Sequence, residues 1–429
     1  MLKAFWHRLA RAGDGGVAVT VAAAAPIIIG MAGLGVEAGV WYLDKRQAQT
    51  AADAGAFAGA LERWRGNSAG VQTAVTQAVT KNGYVNGSDA VVTIHHPPSQ
   101  GAYAGSGSAV EVIVQRSHQP LFAALFVGGN VNVAARAVAQ VQTIGRACVL
   151  ALDLTASSAI GNKGNPFVDM TGCVLAANSN SQSAIALSGS SQLAANSLWM
   201  VGNYTKSGSA QMNLASAPMV NAWALDNPYA DKTVGPTGTC AHNNYYVGSG
   251  NVTMSPGTYC GGISIGSQAT VALNPGTYVI DRGDFNVSAQ AVVTCNCSTP
   301  GSGVTIVLTS SGATSQIGTV TINGGAHVEL KAPSDPSYAH PGLVVYQDER
   351  APSNKTAKFN GGATMRLTGA VYMSGQEVEW AGDNSTTAPT CTEVVARRIT
   401  FTGNSKIDNS SCEEMGVTPI QITGVRLVE

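Results

Sequence analysis

Three groups of residues have the types and spacing that chemistry would use. After the apolar stretch 149–152, Asp153, Thr155 and Ser157 form an Asp-x-Thr-x-Ser string. A carboxylate and two hydroxyls are hard oxygen ligands of the kind magnesium takes. That use needs a doubly wound frame with an amphipathic helix next. Residues 161–175, GNKGNPFVDMTGCVL, are instead broken by Gly and Pro and return to a strand pattern. Glu377 and Glu379 lie two apart beside Trp380, and Asp348, Glu349 and Arg350 form a second charged group. Two carboxylates about 5–10 Å apart could cleave a glycosidic bond by acid–base catalysis. Charged residues are only 11% of the chain, too few to assemble a strong acidic cluster with a base, so both groups read as turn or face residues. His95-His96 precede Pro97-Pro98, and His242, His327 and His340 show no metal-ligand spacing. No phosphate- or dinucleotide-binding motif occurs. The expectation is no catalytic residue, no cofactor and no metal, with a membrane-anchored, carbohydrate-active enzyme as the alternative.

The cysteines carry a different chemistry. Cys148, Cys173, Cys240, Cys260, Cys295, Cys297, Cys391 and Cys412 all follow residue 147. An even number without C-x2-C knuckles suits disulfides in an oxidising compartment better than zinc.

The elements that hold these residues follow from composition and pattern. The chain has 429 residues, a net charge of −1 and 50 Gly. Near-neutral charge argues against a nucleic-acid partner. At 45% apolar, wholesale disorder is unexpected. Low charge with much Gly fits a long, mostly β chain.

The N-terminus departs from that pattern. Lys3, Arg8 and Arg11 precede an uncharged run from Val17 to Val36 that includes Pro26, Ile27, Ile28 and Ile29. Twenty such residues as a helix span roughly 30 Å, the thickness of the hydrocarbon core. Segment 1–16 is expected to be a cytoplasmic tail and 17–43 a transmembrane helix, with the rest exported. A cleavable signal would have a shorter apolar core. The helical pattern continues from Asp44 to Trp64, where Ala48, Ala51, Ala52, Gly55 and Ala58 form a small-residue stripe. Such a stripe admits another helix at close range, from a partner or from the same fold.

The segment GDGGVAVTVAAAAPIIIGMAGLGVEAGVWYLDKRQAQTAADAGAFAGA resembles the N-terminal segment of Tad/Flp pilus-assembly proteins of the TadG-like type. The resemblance is carried by Gly15-Gly16, Pro26, the Gly-Leu-Gly-Val at 33–36, Trp41-Tyr42-Leu43, Lys45-Arg46 and the Gln49-to-Ala54 stretch with Asp53. It implies a bacterial inner-membrane protein of pilus biogenesis. Its implied partners are pilin or pseudopilins and the assembly platform. Related pseudopilins carry a Glu five residues after the prepilin cut. Here that position is Thr20 or Val21, which speaks against prepilin-type processing.

Residues 44–147 are expected to form the helix extension and a small α+β unit. It would hold a helix near 70–82 and strands at 91–94, 110–114 and 131–141, with a short helix or turn at 121–127. From Cys148 to residue 429, short alternating strands recur between Gly, Asn and Ser. The tetrapeptide PGTY appears at 256–259 and 275–278, nineteen residues apart. A period near twenty predicts a solenoid, here a right-handed parallel β-helix, with a β-sandwich as the alternative. Adjacent coils would then bring together Cys148–Cys173, Cys240–Cys260 and Cys391–Cys412, separated by 25, 20 and 21 positions. Cys295 and Cys297 are left to pair with each other or stay reduced. The expected role is non-enzymatic: an anchored envelope protein that displays the β region for assembly or for attachment to a surface or glycan ligand.

Overall fold

The computed structural model describes residues 15–235, 237–362, 365–382, 391–417 and 419–429. Segment 1–14, with Lys3, Arg8 and Arg11, lies outside the described residues, as does the side chain of Val17. The chain divides into two units, Met1–Ile144 with Thr423–Glu429, and Gly145–Ile422. The last seven residues therefore belong with the first unit rather than with the β region that precedes them in sequence.

In the first unit, helix α1 spans Gly15–Trp64 with Pro26 inside it. Helix α2, Val71–Lys81, buries Val71, Val75 and Val79, the i, i+4 face expected from periodicity. Strand Val91–His95 pairs antiparallel with Ala109–His118, which pairs antiparallel with the first part of Val131–Ala151. Val110, Val112 and Val114 alternate onto the core face, opposite Ala135, Ala137 and Ala139 of the neighbouring strand. A short 3-10 turn, Ala123–Leu125, sits in the connection between those strands.

The small-residue stripe is used inside this unit. Ala48, Ala51 and Ala52 are fully buried in its core, and Ala58 is half-buried. A Cβ on Gly55 would stand 2.8 Å from Val79 Cγ2, and one on Gly59 would stand 2.7 Å from Val75 Cγ2. Of the two uses the stripe allows, the structure shows packing within the same fold. The valines of α2 and of strand Ala109–His118 occupy the close approach at Gly55 and Gly59.

The second unit is built from parallel pairings. Eight strands close in a ring: Gly257–Leu273, Gly276–Asp281, Val304–Thr309, Leu343–Gln347, Met365–Gly382, Thr356–Gly362, Val320–Ile322 and Phe285–Val287. The ring closes because Gly257–Leu273 and Met365–Gly382 each bend through three successive ladders. Gly261 and Gly262 make one such bend at φ +79° and +106°, and a Cβ on Gly262 would meet the Asp284 carbonyl at 2.8 Å. Only glycine fits there. Inside, Val287, Ile322, Phe359, Trp380 and Phe401 stand in register and buried. The interior therefore holds large aromatic side chains beside the aliphatic ones.

Spatial order differs from chain order. The first ladder runs through residues 240–243, 257–260, 276–281, 304–309, 343–347, 369–373 and 392–396. It then continues through 147–151, 174–177 and 197–200 to Met219. A solenoid wound in simple sequence order is thereby corrected. The earliest circuits, 147–219, stack beyond the latest one, Thr392–Phe401. Ten steps of about 4.8 Å separate Met219 from Cys240, roughly 48 Å. The twenty intervening residues, which reach at most about 72 Å, bridge that distance and include a turn at 228–231.

This strap lies over the first ladder and is tied to it side chain by side chain. Trp199 Nε1 donates to Trp223 O at 3.0 Å. Asn178 pairs with the Leu225 backbone through two bonds of 2.8 Å. Tyr229 donates to Glu393 at 2.8 Å, and Asn227 donates to the Tyr372 hydroxyl at 2.7 Å. Tyr346 donates to Lys232 O at 2.8 Å, and His340 Nε2 meets Thr233 O at 3.0 Å.

Candidate functional site

The feature that most clearly exceeds the needs of folding is the first half of α1. Ile27, Ile28, Ile29, Met31 and Val36 are all more than half exposed, and Pro26 is exposed as well. An apolar helix with no buried face has its partner outside the fold, and a bilayer is the usual one. Its length and composition suffice to cross a membrane.

A polar cluster, not anticipated from sequence, fixes where that half ends. Buried Asp44 accepts from Tyr84 OH at 2.7 Å, Arg116 Nη1 at 2.9 Å and His118 Nε2 at 2.8 Å. Arg116 also pairs with Asp89 and lies 4.0 Å over the Tyr84 ring. The available signal was Arg116 and His118 two apart on one strand, hence on one face. Burial, the hydrogen bond and the nearby Asp44 charge all push the Tyr84 hydroxyl well above its ordinary range.

A second unanticipated cluster has the residue types of a nucleophilic relay. Glu111, fully buried, accepts from Ser99 Oγ at 2.7 Å and Ser99 N at 2.9 Å, and meets His95 Nδ1 at 2.8 Å. Arg136 pairs with the same carboxylate and with Glu429. Burial raises the Glu111 carboxyl, but the Ser99, Arg136 and His95 bonds outweigh it and hold it at about 2. A relay needs serine on one imidazole nitrogen and the carboxylate on the other. Here both address Nδ1, with Ser99 Oγ 3.3 Å away and bonded directly to the acid. This geometry clamps strands together and does not activate the hydroxyl.

The sequence candidates of the second unit are occupied. Asp153 accepts from the N–H of Thr155 and Ala156, and pairs with Arg397 at 3.0 Å and Arg398 at 3.1 Å. Burial raises its carboxyl, yet the backbone bonds and the two guanidinium groups bring it below the ordinary value. Two arginines stand where a cation would have to go. Glu377 accepts from Thr400, Glu379 pairs with Lys163, and Trp380 points inward onto Phe359. Asp348 is held by Thr309 and Arg350, and Glu349 is bonded by Tyr372 and Asn227. His242 stacks on Tyr259, and His340 on Tyr346.

The disulfides are Cys148–Cys173, Cys240–Cys260, Cys295–Cys297 and Cys391–Cys412, with Cα separations of 5.7, 5.6, 5.1 and 4.6 Å. The first two join neighbouring strands of the first ladder. Asp281 approaches Cys240 and Cys260, but both sulfurs are spent in their bond.

Comparison with known proteins finds a family likeness in the N-terminal helix. Residues 15–62 fit the Tad family, described as Flp pilus-assembly TadE/G-like. No curated protein and no solved structure matches the chain. The matched stretch covers most of α1, from its exposed apolar half through the stripe buried in the first unit. Residues 15–62 are therefore similar to the Tad, TadE/G-like domain of the Flp pilus-assembly type, a likeness that spans 48 of the 429 residues.

Proposed function

We propose that this chain is a non-enzymatic, membrane-anchored component of Tad/Flp pilus biogenesis in a bacterial envelope. The observation that carries the reading is the coincidence of the Tad match with the helix half that is apolar and exposed. α1 crosses the inner membrane with the preceding segment that carries Lys3, Arg8 and Arg11 in the cytoplasm, following the positive-inside rule. The three parallel ladders are the walls of a right-handed parallel β-helix, exported and clamped by disulfides that an oxidising compartment permits. That rod is displayed for assembly with pilin, pseudopilins or the platform, or for attachment to a surface or glycan. The test is site-specific photocross-linking from the rod in cells that make pili. Adducts with pilus or platform proteins, together with loss of pili on deletion of the chain, are expected. Normal piliation without the chain and no such adduct would end the reading. Ile28→Arg should raise the insertion cost by about 3 kcal/mol and release protein from the membrane fraction.

A further inference from the structure

The connection between strands Ala109–His118 and Val131–Ala151 reads QPLFAALFVGGN over 119–130, and no Asp, Glu, Lys or Arg occurs between Arg116 and Arg136. Surface loops are ordinarily polar because water solvates their backbone. This one leaves Leu121 80% and Phe126 76% exposed, with Phe122 and Val127 also uncovered. Its position is fixed by α1. The Glu37 carboxylate accepts from the N–H of Leu121 at 2.6 Å, Phe122 at 3.1 Å and Ala123 at 2.7 Å. The Phe122 ring lies directly on Gly33, where a Cβ would come within 2.4 Å of it. Together with Val36, Val40, Trp41 and Leu121 they line a cavity of about 220 Å³.

Gly33 belongs to the uncharged run, roughly 4.5 Å along the helix before its end at Val36. The loop thus folds back along α1, past the first charge, and lays its apolar side chains level with the last turn of the anchor. Trp41 and Tyr42 follow about one turn further out, where aromatic residues favour the headgroup region. Three backbone N–H groups that hydrocarbon would leave unpaired are already taken by Glu37, which is the condition for placing irregular backbone at that depth.

We propose that the loop 119–128 is a second membrane contact. Leu121, Phe122, Phe126 and Val127 enter the leaflet from which α1 emerges and seat the first unit on the bilayer. The proposal rests on the anchoring role given above. Continuity with the exposed apolar surface of α1 selects lipid, not a protein partner, as the occupant. The test uses the full chain in vesicles of phosphatidylethanolamine and phosphatidylglycerol. Nitroxide labels are placed singly through Phe126→Cys, Ile28→Cys and Thr80→Cys, the last exposed on α2. Accessibility to oxygen above that to a nickel complex is expected at 126 and 28, with the reverse at 80. A label in lipid at 28 but in water at 126 overturns this proposal and leaves the anchor standing. Shielding from both reagents at 126 means a protein cover and also overturns it. Water at 28 removes the anchor itself.

Discussion

The Tyr229 hydroxyl donates to the Glu393 carboxylate at 2.8 Å, joining the strap to an acid that is fully buried on the first ladder. Glu393 also accepts from Ile420 N at 3.2 Å, and among the described residues no cation is bonded to it. Burial therefore dominates and pushes its carboxyl up to about 8 against the two bonds. The folded value lies above the ordinary 4.5, so the folded state holds the extra proton between those limits. The stability this supplies is complete below about 4.5 and is lost as pH rises through about 8. Melting of the second unit should be higher at pH 5 than at pH 8. Glu393→Gln, neutral throughout, should flatten that difference, as calorimetry at the two pH values will show. An unchanged slope would mean another group carries it.

Glu111 works in the opposite window. Its carboxyl is held at about 2, below the ordinary 4.5, so its contribution is present above 4.5 and lost as pH falls towards 2. Amide exchange at Val112 and Val114, expressed relative to the intrinsic rate at each pH, should accelerate on acidification in the wild-type chain. In Glu111→Gln it should already be fast at pH 7, because Arg136 loses its buried partner.

The stripe on α1 predicts a cost that appears without any partner. Gly59→Leu must displace Val75 and Val110, whose methyls would lie 2.7 and 2.9 Å from a Cβ. Overpacking of this kind costs about 1–3 kcal/mol. Denaturant unfolding of the first unit should shift accordingly. Phe57→Leu, on the exposed side of the same helix, should leave it nearly unchanged.

The permuted order of circuits predicts a specific cross-link. Lys163 pairs with Glu379, 216 positions later, because the circuit at 392–401 lies between strands 160–162 and 377–380. A carbodiimide should join the two side chains without a spacer, and peptide mapping will identify the adduct. Winding in sequence order would separate them by most of the rod. Absence of the Lys163–Glu379 link would overturn the stacking.

The sequence alone was enough to read a helix long and apolar enough to cross a membrane, because a run of twenty uncharged residues is a local property. It was enough for the strand alternation, because period two is local. It was also enough to propose the pairs Cys148–Cys173, Cys240–Cys260 and Cys391–Cys412, because one circuit of a stacked chain returns a residue beside its predecessor. The order of the circuits was decided only by the tertiary structure. Parallel ladders pair through backbone groups common to every residue, so nothing in Val394 or Val395 names Val149 and Leu150 as neighbours. The facing of the stripe was decided there too, since small residues admit whichever helix arrives first, and α2 is eleven residues of the same chain. The environments of Asp44, Glu111 and Glu393 likewise depend on side chains distant in sequence. A carboxylate's chemistry is set by burial and partners that its neighbours along the chain do not encode.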